Sequence, residues 1–236
     1  MDKLHRELLS LIKKEARNNA ITSKHSSAYE GHQDKSYKLT NPQLRKIASL
    51  WLKDHQDLSF REFVNLLNSL YGKSDSSTEK YAAGFLLEYS PSLRKLLQPK
   101  LLDNWLNSLT GWGQVDSLCQ SRFSASDMLQ NWDSWESLLE KLNGSNNINK
   151  RRASLVLLTK AVRDSDDKRF ANLAIRNIEM LKHEREILIT KAVSWLLREM
   201  IKNHKTLVSN YLTQNKDSLP KIAAREVSRK LLTGKK

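Results

Sequence analysis

Seven glycines and four prolines are all that interrupt 236 residues, and between them apolar side chains recur three and four positions apart. That spacing lines one face of a helix, whereas a half-buried strand needs alternation at every second residue. The pattern predicts an all-α chain. Its helices fall near 2–18, 42–55, 60–71, 77–89, 92–109, 112–122, 126–142 (broken near Asn131-Trp132), 148–163, 168–181, 184–203, 205–213 and 218–232. Start signals agree with these bounds. Asn41-Pro42 reads as an N-cap followed by proline in the first turn, and Ser59-Phe60-Arg61-Glu62, Ser76-Ser77-Thr78-Glu79 and Asp133-Ser134-Trp135-Glu136 have the spacing of capping boxes. Polar breaks such as Gly72-Lys73-Ser74-Asp75 and Gly144-Ser145-Asn146-Asn147 are loop chemistry, too short to link separate domains. A single domain over residues 1–236 is expected.

A weak internal repeat refines the architecture. Lys80-Tyr81-Ala82-Ala83-Gly84-Phe85-Leu86-Leu87 aligns with Arg151-Arg152-Ala153-Ser154-Leu155-Val156-Leu157-Leu158, and both align with Thr190-Lys191-Ala192-Val193-Ser194-Trp195-Leu196-Leu197. The shared alanines, Ala82, Ala153 and Ala192, are 71 and 39 residues apart, or two repeats and then one. A period of about 35–40 residues with two helices each is the mark of an α-solenoid of HEAT-like helical pairs, a curved superhelix whose inner helices line a concave groove. An irregular helical bundle is the competing architecture.

Composition narrows the partners. Forty Lys+Arg against 26 Asp+Glu leave a formal net charge of +14, which favours polyanions through counterion release and steering; a merely solubilising surface is the plainer reading. No apolar run approaches the roughly 18 residues of a membrane span, and Met1-Asp2-Lys3-Leu4-His5-Arg6 begins no secretory core. One cysteine, Cys119, builds no internal disulfide framework and no zinc site, and the six histidines lack ligand spacing. Phosphate loops, dinucleotide fingerprints and nucleophile elbows are missing, so neither metal nor cofactor is expected. A soluble cytoplasmic monomer is the simplest expectation.

Three segments carry candidate chemistry. In Gly111-Trp112-Gly113-Gln114-Val115-Asp116, an indole and a carboxylate stand one helical turn apart, on the flank of an apolar face made by Val115, Leu118 and Cys119. Asp116 is either a carboxylate near the helix start with a local partner, favoured there by the dipole, or a group that does chemistry. In 184–203, Ile189, Ala192, Val193, Leu196 and Met200 share the core arc, while Trp195 falls with Lys191, Arg198 and Lys202. Cations for phosphates and an indole for a sugar or base suit a nucleic acid; a ring lying under lysine and arginine stems fits equally. Finally, Asn149-Lys150-Arg151-Arg152 opens a nearly apolar helix with cations that oppose its own dipole, a local cost that an external anion would offset, unless these are simply solvated loop residues.

Taken in order, Trp112-Gly113-Gln114-Val115-Asp116-Ser117, Arg151-Arg152-Ala153-Ser154-Leu155 and Lys191-Ala192-Val193-Ser194-Trp195-Leu196-Leu197-Arg198-Glu199 resemble the DNA alkylation repair glycosylases of the AlkD type, a HEAT-like family. The resemblance covers most of the chain and is strongest from about Glu79 to Arg225. It implies a superhelix cradling duplex DNA in a basic concave groove, and excision of cationic alkylated purines, mainly 7-methylguanine and 3-methyladenine. It further implies that Asp116 is catalytic, that Trp112 and Trp195 contact the damaged nucleotide, and that Arg152 holds DNA beside the lesion. Arg151, Lys191, Arg198 and Lys202 are expected to add DNA contacts. Tyr29, thirteen residues before Pro42, matches the family's DNA-contacting tyrosine, with Tyr37 as a rival. The chain departs from the family pattern at Gly113, where an aspartate is usual, and at Lys38, where a glycine is common. Gly113 keeps alive a non-catalytic DNA- or RNA-binding repeat protein as the second reading, while a protein–protein scaffold leaves the charge unexplained.

Overall fold

The computed structural model describes residues 1–17 and 34–235. Among these, thirteen helices follow one another: α1 (Lys3–Arg17), α2 (Asn41–Asp54), α3 (Phe60–Lys73), α4 (Ser77–Tyr89), α5 (Pro91–Lys95), α6 (Lys100–Leu106), α7 (Gly111–Cys119), α8 (Ala125–Gln130), α9 (Trp132–Asn143), α10 (Ile148–Asp164), α11 (Lys168–Leu181), α12 (Ile187–Asn215) and α13 (Lys221–Thr233). The only strand-like pairing among the described residues is an isolated parallel bridge between Lys35 and Ser76. The chain is all-α, as its periodicity predicts.

Local chemistry accounts for the element boundaries. Ser59 and Glu62 form the expected capping box, and Ser76 caps α4 by accepting from the Glu79 N–H. At α2 the cap is Thr40 rather than Asn41: the Thr40 side chain and Gln43 exchange reciprocal bonds, and Asn41-Pro42 forms the first turn. The Asp133 box is not used, because α9 starts two residues earlier than that cap requires, at Trp132, from the non-helical Asn131; Asp133 sits in the first turn, where the dipole favours it. The helix expected over 92–109 is two, α5 and α6, because Pro99 lacks an N–H and disfavours a helical residue before it. The two segments expected over 184–203 and 205–213 make up α12, and they meet at a kink at His204 (φ −128°, ψ 38°), where the expected break falls.

The chain divides into two compact units, Met1–Arg122 and Phe123–Lys236. In the first, α2 packs on α4 and α4 on α7, while α3 and α6 form a second layer and α1 lies on α2 and α3. Its core includes Leu8, Ile12, Trp51, Phe63, Leu66, Leu86 and Leu102, all at most 1% exposed. In the second unit α10, α12 and α13 pack in succession, with α9 and α11 against α10 and each other. Stacking on the next-but-one helix in two layers is the packing of helical pairs in an α-solenoid. Ala82, Ala153 and Ala192, the residues that align in the repeat, are all fully buried, on α4, α10 and α12.

Two polar devices tie the first unit together. His5, fully buried, joins Ser69 through Nδ1 (2.8 Å) and Glu79 through Nε2 (2.7 Å), and Ser69 Oγ also accepts from the Asp2 N–H (3.0 Å). Burial of the Glu79 carboxyl favours its neutral form, but hydrogen bonds from His5 and Ser76 and the nearby charges of His5 and Lys13 outweigh this, holding it below its ordinary 4.5. The second device is a close backbone approach. A Cβ on Gly84 of α4 would lie 2.4 Å from Ser117 Oγ and 2.9 Å from the Ser117 carbonyl oxygen on α7. Ser121 Oγ, just past α7, donates to the Gly84 carbonyl at 3.1 Å. Only glycine lets α7 sit this close.

Two consequences are measurable by urea unfolding. Because the folded-state value of Glu79 is lowered, its contribution is present above the ordinary carboxylate range and is lost as pH falls through the folded value. Wild type should therefore lose more stability than Glu79→Gln as pH drops from about 5 to about 3; parallel curves would refute the assignment. Gly84→Ala should cost about 1–3 kcal/mol through overpacking. Adding Ser117→Ala should recover part of that loss but not all, since the carbonyl contact remains; full recovery, or no initial loss, would contradict the contact.

Candidate active site and nucleic-acid interface

The α7 helix begins at Gly111 with φ +70°, a left-handed value that side chains other than glycine resist. Its N-cap residue, Thr110, makes no side-chain cap bond; instead Gln114 Oε1 reaches back to accept from the Thr110 N–H at 3.0 Å. The other end of the same buried amide donates to Asp34 Oδ2 at 2.8 Å, and Lys80 Nζ of α4 donates to that oxygen at 2.7 Å. Lys80 and Gln114 are 7% and 1% exposed, so the Asp34 carboxylate, itself 27% exposed, is held by two buried donors. The segment carrying Asp34 is clipped to the start of α4 as well: Ser77 N–H donates to the Lys35 carbonyl (2.8 Å), and Tyr37 N–H to Thr78 Oγ1 (2.8 Å). Asp34, Lys80 and Gln114 thus fix where α7 begins.

On α7 itself Val115, Leu118 and Cys119 are buried, as the apolar arc predicts, and Trp112 and Asp116 lie one turn apart on its flank, both half-buried. No acidic residue occupies the first turn of α7. Asp116 stands in the second turn, beyond the reach where the N-terminal dipole acts most strongly on a carboxylate. Gly113, the departure from the family pattern, is accommodated inside the intact helix. Tyr29 lies outside the described residues; Tyr37, its rival, is half-buried beside the start of α4.

The remaining candidates belong to the second unit, on α10 and α12. Ile189, Ala192, Val193, Leu196 and Met200 are all buried, confirming the core arc of α12. Lys191 and Lys202 are exposed and Trp195 is half-buried between them. Arg198 departs from the expected open face: it is 7% exposed, its Nε donates to the Ser194 carbonyl (3.2 Å), and it pairs with Glu226 of α13 at 3.4 Å. A helical wheel places Arg198 correctly on the Trp195 edge but knows nothing of α13, which covers that part of it.

The cationic start of α10 has an internal anion. Arg151 grips Glu184 with two hydrogen bonds, 2.7 and 3.1 Å, and gives a third to the Ser145 carbonyl (2.8 Å), so the local cost expected there is met within the chain. Arg152 is 5% exposed and donates to the Leu188 carbonyl in the first turn of α12 at 2.6 Å. The structure therefore brings Trp112 and Asp116 together on α7, and Arg152 together with the helix carrying Lys191, Trp195 and Lys202; the two sets lie in different units. Asp34, Lys80, Glu184 and Glu226 were invisible to sequence spacing, since their partners lie 46, 33 and 28 residues away or more.

Among the described residues no helix is long and apolar enough to cross a membrane, and no cluster of three or more His, Cys, Asp or Glu could hold a metal ion. None of the curated proteins matches the chain. Among solved structures, a predicted DNA alkylation repair enzyme from Enterococcus faecalis superposes with a TM-score of 0.73 at 19% identity, over 88% of this chain and 93% of that one. At that identity the likeness shows a common fold. The family model of the DNA alkylation repair enzymes matches residues 11–231, nearly the full length. The chain belongs to the DNA alkylation repair enzyme family.

Proposed function

We propose that this protein is a monofunctional DNA glycosylase that hydrolyses the N-glycosidic bond of cationic N-alkylated purines, 7-methylguanine and 3-methyladenine, in duplex DNA. The observation that carries this reading is the pairing of Asp116 with Trp112 on one half-buried edge of α7, in a repair-family chain of net charge +14. A carboxylate repels phosphate, so on a DNA-binding surface it is of use only where positive charge develops. Breaking the bond between sugar C1′ and the alkylated base moves the bonding electrons onto the base, which leaves neutral, and leaves positive charge on the sugar. An anion fixed nearby stabilises that oxocarbenium-like state more than the ground state. The sugar C–H groups turn more positive at the same moment, so the face of Trp112 acts in the same direction, the part that the family resemblance also assigns to Trp195.

Because the leaving base already carries the charge that protonation would supply, no general acid is needed. This sets the site apart from the two-carboxylate arrangement of ordinary glycosidases. Water then attacks C1′ and loses its proton, and Asp116 orients it. We assign phosphate contacts to Lys191 and Lys202, exposed on either side of Trp195; Arg152, 5% exposed and bonded to the Leu188 carbonyl, serves the DNA contact beside the lesion by positioning the start of α12. Arg151 and Arg198, held by Glu184 and Glu226, act as positioning residues for that surface. Tyr29 or Tyr37 supplies the N-terminal contact.

The test is release of 7-methylguanine from methylated duplex DNA. Asp116→Asn should lower the single-turnover rate by about 100-fold or more, the scale of losing one pre-aimed electrostatic group, while leaving affinity for undamaged duplex equal or slightly improved. The product should be an abasic site in an unbroken strand. Equal release by both proteins would remove Asp116 from the mechanism. Duplex binding by wild type with no base release would favour a non-catalytic DNA-binding protein.

A further inference from the structure

We propose that the segment 34–37 is a strap that governs the rate of base release, and that Gln114 is the positioning residue through which it acts on Asp116. The effect on rate rests on the glycosylase reading, whereas the hold of the strap on α7 stands without it. The start of α7 has little to define it from within. Two glycines flank Trp112, and after proline glycine is the poorest helix former. The Thr110 side chain makes no cap bond, and no acid occupies the first turn. Definition comes instead from the Gln114 amide, which is 1% exposed and bonded at both ends: Oε1 accepts from the Thr110 N–H at 3.0 Å, and Nε2 donates to Asp34 Oδ2 at 2.8 Å.

The place of Gln114 on the helix gives this anchor its leverage. At about 100° per residue, Gln114 lies about 160° from both Trp112 and Asp116, which are themselves about 40° apart. The anchor therefore holds the buried back of α7, and the indole and the carboxylate stand on the half-buried side across from it. A rotation of the helix by about 10° carries a group about 5–6 Å from its axis through about 1 Å. A misplacement of that size costs up to about 100-fold in rate. A contact that served stability alone would be equally effective from any buried residue of α7; this one is made midway in sequence between Trp112 and Asp116.

The strap is itself fixed to α4. The Ser77 N–H donates to the Lys35 carbonyl at 2.8 Å, the Tyr37 N–H donates to Thr78 Oγ1 at 2.8 Å, and Lys80 Nζ donates to Asp34 Oδ2 at 2.7 Å. All three partners lie at the start of α4. The oxygen that receives Lys80 is the one that receives Gln114, so a single carboxylate transfers the position of α4 to the back of α7. Without it, Gln114 keeps its bond to Thr110 but loses its reference to the rest of the fold.

The test compares wild type with Gln114→Met, Asp34→Ala, Asp116→Asn and the double variant Gln114→Met/Asp116→Asn. Gln114→Met keeps the length of the side chain and loses both bonds. Asp34→Ala removes the strap's acceptor from a side chain 27% exposed, and it carries the test where the first variant fails to fold. Single-turnover release of 7-methylguanine from methylated duplex should fall by about 10-fold or more in each, with affinity for undamaged duplex unchanged. In the Asp116→Asn background Gln114→Met should cost less than about 3-fold, because residues that act as a unit are not additive. Hydrogen exchange of the 115–119 amides, read in the free protein, should quicken by about 10-fold or more in Gln114→Met and Asp34→Ala, while the amides of α10 keep their wild-type rates. Unchanged release, or an equal loss in both Asp116 backgrounds, overturns the role in rate; unchanged exchange overturns the strap. A wild type that releases no base sinks the glycosylase reading, and the strap is then decided by exchange alone.

Discussion

A helix of nine residues is marginal by itself, so the role proposed for Asp116 depends on what holds α7 against α4. Two contacts of different kinds do this. At Gly84 the absence of a side chain lets the backbone of α4 approach Ser117, next in sequence to Asp116. At the helix start the buried Gln114 amide is shared between the Thr110 N–H and the Asp34 carboxylate, which Lys80 neutralises. The first sets how far α7 lies from α4, and the second sets where along α4 it begins. A carboxylate that must favour a transient charge needs both coordinates fixed beforehand, because any reorganisation during reaction subtracts from the stabilisation it can give.

The same logic runs through the other acids. Glu79 is locked by His5 and Ser76, Glu184 by Arg151, Glu226 by Ser194 and Arg198, and Glu88 by Arg45 and Arg122. Each of these carboxylates joins residues that are distant in sequence, and each is therefore part of the framework. Each engages a cation or a histidine as well, so these pairs neutralise charge of both signs and leave the net balance as composition sets it.

Much of the fold was legible because helices are specified by short-range signals. Ser59-Phe60-Arg61-Glu62 names its own capping box, Pro99 enforces a break that periodicity alone ran through, and Asn131 marks the boundary of α8 and α9. The family motif likewise lies within single helices, and Trp112 and Asp116 keep the one-turn relation that their spacing dictates. What could not be read was tertiary pairing. Arg198 sits on the Trp195 edge of α12, as the wheel requires, yet is buried because α13 returns over it; Arg151 meets an acid 33 residues on. The Asp34 carboxylate joins a lysine 46 residues and an amide 80 residues away, and no local pattern announces either partner. Surface cations are thus the residues for which sequence patterns overstate availability, since burial and pairing are decided by elements not yet built.

An anion within a DNA-binding protein raises a question of magnitude. A carboxylate about 7 Å from a phosphate costs roughly 0.6 kcal/mol in water and roughly 2.4 kcal/mol at the effective dielectric of a protein surface. Each cation that displaces a counterion near 0.15 M salt returns roughly 1 kcal/mol. Two such cations cover most of that repulsion. The oxocarbenium charge, by contrast, arises at closer range: at about 3.5 Å the same dielectric gives roughly 4.7 kcal/mol of attraction. In the proposed mechanism the distance dependence alone makes the carboxylate more favourable to the transition state than it is unfavourable to bound DNA, and half-burial of Asp116 widens the gap by lowering the local dielectric. On that proposal, cations spread over exposed helices and one carboxylate held on a partly shielded edge are complementary: the first would supply affinity that is spatially diffuse, and the second would concentrate its effect on the one bond that must break.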